Sequence, residues 1–191
     1  MPLKADILNF LATNSCIGRI NFSFAAYKVY PSAYQRDVAA AIRTEDIKIR
    51  PRASGSPASG ATYDVNYDSL EFLPSFTISN WRDQAFLIHE CTHAHLDIQN
   101  LGNHSAHQDE AVAYLAEAVF LEASRKAPLG TERIRVVAHD IAKRVLAGTY
   151  YVPDGDSTSL VREVAAHPFY ASRTVYRSNG FNRSLIHRIL R

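Results

Sequence analysis

Apolar residues recur at helical spacing in some stretches of the chain and alternate with polar residues in others. The helical spacing predicts helices over residues 3–13, 31–43, 80–101, 105–126, 131–147, 157–166 and 182–190. Alternation predicts strands over residues 18–24 and 46–50 and a hairpin over residues 61–73. This order predicts an α+β fold with a small mixed sheet in the N-terminal half and a helical C-terminal half.

Two of the predicted helices have clear start signals. Asn80 is placed to cap the first, which carries Asp83 in its first turn and Gly102 just past its end. Ser105 begins the second with a capping-box pattern. Because only a short polar turn separates them, we expect the second helix to fold back against the first.

Length and composition narrow the class of protein. The 191 residues suit a single domain over residues 1–191, with a sheet-containing part (1–79), a pair of central helices (80–126) and a helical part (127–191). The net charge of +2 gives no reason to expect nucleic acid. No run reaches the length of a membrane span, and no signal peptide is visible, so a cytoplasmic location is expected, with export that needs no cleavable signal left open. The oligomeric state stays open.

Residues 89–93 form an HExxH motif on the first central helix. The spacing of four places His89 and His93 on one helix face, one turn apart, where they can hold one metal ion. Glu90 projects beside that ion and suits a general base that takes a proton from metal-bound water. One zinc ion per chain is the expected cofactor, because histidine and carboxylate ligands with a water make an open, catalytic zinc site.

Two histidines need a third protein ligand to complete such a site. The metzincin motif is excluded, because its Gly and His positions are occupied here by Leu96 and Gln99. Glu110 is favoured, since it shares an Ala-rich helix face with Tyr114 and Glu117, and buried charge needs a partner. The alternatives are His107, Asp109 and His104.

The HExxH motif followed by residues 109–114 (Asp-Glu-Ala-Val-Ala-Tyr) resembles the gluzincin metallopeptidases, the thermolysin-type clan, and short bacterial HExxH proteins with an E-x-x-A-Y second helix. The resemblance covers about residues 45–125 and implies a zincin-like fold. In that fold a mixed sheet precedes the HExxH helix, and its edge strand, here residues 70–73, binds extended substrate. The implied zinc ligands are His89, His93 and Glu110, with Glu90 as the base.

Such a site also needs a residue that orients His89 and a residue that stabilises the oxyanion. The gluzincin pattern has an Asp four residues after the ligand Glu, where this chain has Tyr114, so Asp97 or Glu117 is expected to orient His89 instead. A tetrahedral intermediate needs an oxyanion donor. Tyr114 is the expected catalytic donor, and the other candidates are His139, Tyr150, Tyr151 and His167. Two remaining motif-helix residues are expected to be bystanders, His95 exposed and Cys91 in the core.

These residues together predict a zinc metallopeptidase that acts on a peptide or protein substrate. The alternative is a zinc-binding regulatory or binding protein that keeps a metallopeptidase-like fold without turnover, although the intact Glu90 argues against it. A carboxylate-bridged dimetal protein would need a second E-x-x-H motif. Glu163 and His167 are spaced four residues apart instead of three, so that class is disfavoured.

Overall fold

The computed structural model describes residues 2–52, 60–100, 103–172 and 175–177. Within these residues the fold is α+β, with six α-helices, eight short strands and a helix-rich second half. The helices are α1 (Pro2–Thr13), α2 (Ala39–Arg43), α3 (Trp81–Ile98), α4 (Ala106–Ala123), α5 (Arg133–Leu146) and α6 (Asp154–Ala166). The strands are β1 (Phe22–Phe24), β2 (Tyr27–Val29), β3 (Lys48–Pro51), β4 (Ala61–Asp64), β5 (Ser69–Phe72), β6 (Asn103–Ser105), β7 (Tyr151–Val152) and β8 (Val175–Arg177).

The strands of the described chain form two mixed three-stranded sheets and a two-stranded ladder. In the first sheet β1 pairs antiparallel with β2 and parallel with β7. In the second sheet β5 pairs parallel with β3 and antiparallel with β4. The ladder joins β6 to β8. β3 and β4, which precede and follow residues 53–59, therefore lie in one sheet.

The expectation that residues 70–73 form the edge strand is wrong. β5 covers most of that range and lies in the middle of its sheet, in the order β3-β5-β4. The hairpin itself is as predicted, and its turn is stabilised by Asp64, whose carboxylate accepts the Asn66 N–H at 2.9 Å. The parallel pairing with β3 covers the second edge of β5. β4 is an edge strand of this sheet, and it lies beside α3.

The second half of the chain contains strands as well as helices. β7 joins the first sheet and β8 pairs with β6, whereas the sequence predicted helices only. α6 begins at Asp154, earlier than predicted, and α5, predicted from residue 131, has its N-cap at Glu132. The predicted helix over residues 182–190 lies outside the described residues. No helix in the described part of the chain has the length and apolar character needed to cross a membrane.

Helices α3 and α4 form the centre of the molecule, and both begin where the sequence predicted. The side chain of Asn80 accepts the Arg82 N–H, and that of Ser105 accepts the Gln108 N–H. Such caps satisfy amides that have no partner inside the helix. Both helices are buried along most of their length, and Cys91 lies in the core as expected. A helical stretch over Ala33–Val38 packs on α3, where the Tyr34 hydroxyl lies 2.8 Å from the Thr92 hydroxyl.

Candidate metal centre

Three ligand atoms from α3 and α4 converge at one point. The Nε2 atoms of His89 and His93 lie 3.2 Å apart. Glu110 Oε2 lies 3.5 Å from the first nitrogen and 3.6 Å from the second. Ligands about 2.0–2.1 Å from a tetrahedral ion are about 3.3–3.4 Å from one another. The triangle therefore has the size that one ion requires, and we call these three residues the metal triad.

The donor set of the metal triad also fits a metal ion. Two imidazole nitrogens and one carboxylate oxygen are ligands that zinc accepts. Glu110 Oε2 is shielded from solvent and has no hydrogen-bond partner among the described residues. A buried carboxylate oxygen without a partner is costly. Protons on the two neighbouring imidazoles, or a cation in the triangle, would remove that cost.

When no ion is present, protonated imidazoles and the Glu110 carboxylate stabilise each other electrostatically. Burial lowers the pKa of His89, but the carboxylates of Glu110, Glu117 and Glu90 outweigh it and raise that pKa to about 9. Burial likewise opposes charge on His93, yet Asp109 and Glu110 raise its pKa well above the ordinary value. Burial raises the pKa of Glu110, but His93 and His89 hold it below its usual range. A metal ion would therefore have to displace protons from these imidazoles.

Glu90 lies next to the metal triad without belonging to it. Its side chain is buried, with the residue 8% exposed, and its Oε2 accepts the backbone N–H of Tyr63 in β4 at 2.7 Å. Burial raises the pKa of Glu90 above the ordinary value, while both imidazoles and the Tyr63 N–H lower it in part. The edge strand therefore holds this carboxylate beside the triangle.

Each histidine of the metal triad has a carboxylate behind it. His93 Nδ1 lies 2.5 Å from Asp109 Oδ2, so Asp109, an alternative for the third ligand, lies on the other side of the ring. His89 Nδ1 faces Glu117 Oε2 at 3.4 Å, and Glu117 also binds Arg135 of α5. Of the two candidates for orienting His89, Glu117 is therefore the one that lies beside it. Asp97 accepts the Tyr63 hydroxyl at 2.8 Å.

Two tyrosines lie beside the metal triad. The ring of Tyr114 packs edge-on against His89, with ring centroids 4.8 Å apart. Its hydroxyl lies 3.0 Å from the hydroxyl of Tyr170, which follows α6. Burial is the main cause that raises the pKa of Tyr114 to about 12. Sequence reasoning missed Tyr170, and no motif near it gave a signal, because it lies far along the chain from Glu110.

The other candidates have different surroundings. His107 donates from Nε2 to the Tyr170 carbonyl at 3.0 Å, and His139 pairs with Glu122 at 2.8 Å. The side chain of His104 lies outside what the structure describes. Tyr150 and Tyr151 are exposed in and beside β7, and His167 lies against the Tyr170 ring at 5.4 Å between centroids.

The expectation that His95 is exposed is wrong. It is buried, and its Nε2 donates to the Lys28 carbonyl of β2 at 3.2 Å while Tyr30 packs edge-on against its ring. The sequence pattern placed this position on the outer face of α3. The chain around β2 covers that face, and no local signal predicted the covering.

An apolar cavity of about 490 Å³ lies elsewhere, between the start of α1 and the β3–β5 sheet. Its lining includes Leu3, Ile49, Phe72 and Phe76 but none of the metal triad. The cavity and the candidate metal centre are therefore different places in the molecule.

Comparison of the chain with protein-family models, with curated proteins and with solved structures finds no match. The similarity to gluzincins therefore consists of the HExxH motif and the glutamate on the next helix. What the geometry establishes is a His-His-Glu cluster that could hold a metal ion.

Proposed function

We propose that this protein is a zinc-dependent peptide-bond hydrolase in which Glu90 is the general base. The observation that carries the proposal is the division of roles between two adjacent residues. His89 turns into the triangle of ligand atoms, whereas Glu90 is held by the Tyr63 N–H, beside the triangle and outside it. A purely structural metal site does not need a buried carboxylate in this place.

The proposed chemistry uses the metal triad, Glu90 and a water molecule. A zinc ion held by the triad would supply a Lewis acid, which lowers the pKa of a water at the site to roughly 7 and polarises a substrate carbonyl. Glu90 takes one proton of the attacking water as the water oxygen bonds to the carbonyl carbon, and the π electrons move to the carbonyl oxygen. When the carbonyl re-forms, the C–N bond breaks and the leaving nitrogen takes the proton from Glu90.

The electrostatics of Glu90 suit this exchange of a proton. General acid–base catalysis is most efficient when the pKa of the catalytic side chain is near the pH at which the enzyme works. Burial raises the pKa of Glu90, while the backbone N–H of Tyr63 keeps one of its oxygens in a fixed position. The substrate that fits this chemistry is a peptide or protein.

A second candidate function is a metal-holding regulatory or binding domain without turnover. The burial of the metal triad favours it, since His89 and His93 are only 7% and 6% exposed. A protein that only stores or responds to a metal gains from such shielding, whereas a hydrolase must admit its substrate. Both candidates need the triad, but only hydrolysis needs Glu90.

Metal analysis and one charge-removing substitution test the proposal. Purified protein should contain about one zinc per chain. Zinc-loaded wild type should cleave fluorophore-labelled casein, and Glu90→Gln should keep the zinc but lose about 10²–10⁴-fold of the rate. Glu122→Gln, the same change on α4 at a residue paired with His139, should cleave like wild type. Equal cleavage by zinc-loaded wild type and Glu90→Gln would exclude Glu90 as the base. Absence of cleavage by both would contradict the hydrolase proposal and leave the second candidate.

A further inference from the structure

Tyr170 is attached to α4 at two points that lie on either side of Glu110. Its carbonyl accepts from His107 Nε2 at 3.0 Å, and its hydroxyl lies 3.0 Å from that of Tyr114. His107 precedes Glu110 by three residues and Tyr114 follows it by four, so all three share one face of α4. Tyr170 therefore lies along the helix face that carries the third ligand of the metal triad.

The hydroxyl of Tyr170 carries a proton that its contact with Tyr114 does not have to use. A phenol has one proton to donate, and it accepts through its lone pairs. When the Tyr114 hydroxyl donates to the oxygen of Tyr170, the proton of Tyr170 is left for another acceptor. Burial, followed by the carboxylate of Glu110, raises the pKa of Tyr170, so the phenol keeps its proton at neutral pH.

The proposed hydrolysis needs a donor of this kind. Negative charge develops on the carbonyl oxygen as the water oxygen bonds to the carbonyl carbon. Fixed donors aimed at that oxygen are among the largest contributions to such catalysis. Tyr170 is buried and held at both its backbone and its hydroxyl, so little reorganisation is needed at the moment of reaction.

We infer that Tyr170 is a catalytic residue that donates its hydroxyl hydrogen bond to the oxyanion, and that Tyr114 is the positioning residue that orients it. The inference rests on the proposed hydrolase function. Tyr114 acts through Tyr170, since its own hydroxyl lies against the Tyr170 hydroxyl and its ring packs on His89. Tyr170 thus takes the donor role that the sequence suggested for Tyr114.

Three tyrosine-to-phenylalanine variants test this assignment, because each removes one hydroxyl and keeps the ring. With casein-derived fluorogenic peptides, Tyr170→Phe should lower kcat by about 10²–10³-fold. Its KM and zinc affinity should stay within about threefold of wild type, because the inferred hydrogen bond forms as charge develops on the carbonyl oxygen and Tyr170 is not a member of the metal triad. Tyr114→Phe should lose about tenfold in kcat, since the donor remains but is less well oriented. Tyr67→Phe, at a side chain 62% exposed in the hairpin turn, is the matched control and should equal wild type.

A binding measurement separates this inference from the proposed function. In cobalt-loaded protein, methylphosphonate serves as a tetrahedral anion, and its binding is followed by the visible cobalt spectrum. Tyr170→Phe should weaken this binding about tenfold relative to Tyr67→Phe, whether or not wild type cleaves peptides. If wild type binds methylphosphonate with the expected difference between the variants but does not cleave peptides, the hydrolase proposal fails and Tyr170 remains a hydrogen-bond donor to a bound anion. The assignment is overturned if Tyr170→Phe matches Tyr67→Phe in anion binding, if Tyr170→Phe loses the metal, or if the wild-type cobalt protein binds no methylphosphonate.

Discussion

Substituting Asp109 by asparagine removes the charge behind one metal-triad histidine without changing the size of the side chain. Asp109 is fully buried, and its Oδ2 lies 2.5 Å from His93 Nδ1. Such a carboxylate fixes the ring so that the opposite nitrogen faces the metal, and it makes that nitrogen a stronger ligand. The Asp109→Asn protein should therefore bind zinc more weakly than wild type.

The expected magnitude follows from the two contacts behind the triad. Loss of a partner of this kind typically weakens metal affinity by about 10–100-fold, or about 1.4–2.8 kcal/mol. Asp109→Asn should lie near the upper end, because its contact is short and buried. Glu117→Gln should lose about tenfold or less, because Glu117 is 3.4 Å from His89 Nδ1 and also binds Arg135.

Zinc competition with a chromophoric chelator at pH 7.5 measures these affinities, and circular dichroism checks that each variant is folded. Glu122→Gln is the control, since it removes a carboxylate of α4 that pairs with His139 and not with a triad ligand. It should bind zinc within about twofold of wild type. Equal zinc affinity for folded Asp109→Asn and Glu122→Gln would refute the reasoning.

Three further predictions concern stability. The pKa of His89 is raised to about 9 from an ordinary 6.5, so its ion pairs stabilise the metal-free protein fully below pH 6.5, and this stability is lost as the pH rises to about 9. Urea unfolding of chelator-treated protein measures the free energy of unfolding across this window. A constant free energy of unfolding would contradict the ion-pair network. Thr92→Val should cost about 1–3 kcal/mol by leaving the buried Tyr34 hydroxyl without its partner, whereas Tyr34→Phe should cost about 0.5–1.5 kcal/mol; thermal unfolding ranks the two, and the reverse order would be inconsistent with this hydrogen bond. Asn80→Ala should cost about 1 kcal/mol through loss of the α3 cap, with zinc affinity unchanged in the competition assay; a large zinc defect would mean that the start of α3 also positions the ligands.

The sequence predicted what depends on neighbours along the chain. The caps at Asn80 and Ser105 and the helical spacing after them located α3 and α4 to within a few residues. Once those helices are known, a spacing of four places His89 and His93 on one face, and the short connection brings Glu110 back towards them. The metal triad was within reach of sequence reasoning because its partners are close in sequence.

Features that depend on distant partners were not predicted. β5 became the central strand through its pairing with β3, and β7 was missed because its partner β1 lies more than a hundred residues away. His95 was expected to be exposed because no local pattern shows that the chain around β2 covers it. Tyr170 carried no signal either, since only the folding of the chain after α6 brings it to Tyr114.

The short separation of the metal triad in sequence has a consequence for the order in which the centre is assembled. Residues 89–110 form a small loop, and closing a small loop loses less entropy than joining distant segments. We therefore expect a nascent chain to be able to hold an ion as soon as α4 has left the ribosome, before Tyr170 has been synthesised. Tyr170 then joins His107 and Tyr114 beside a centre that is already filled. On this view the metal available at the time of synthesis decides which ion the mature protein carries.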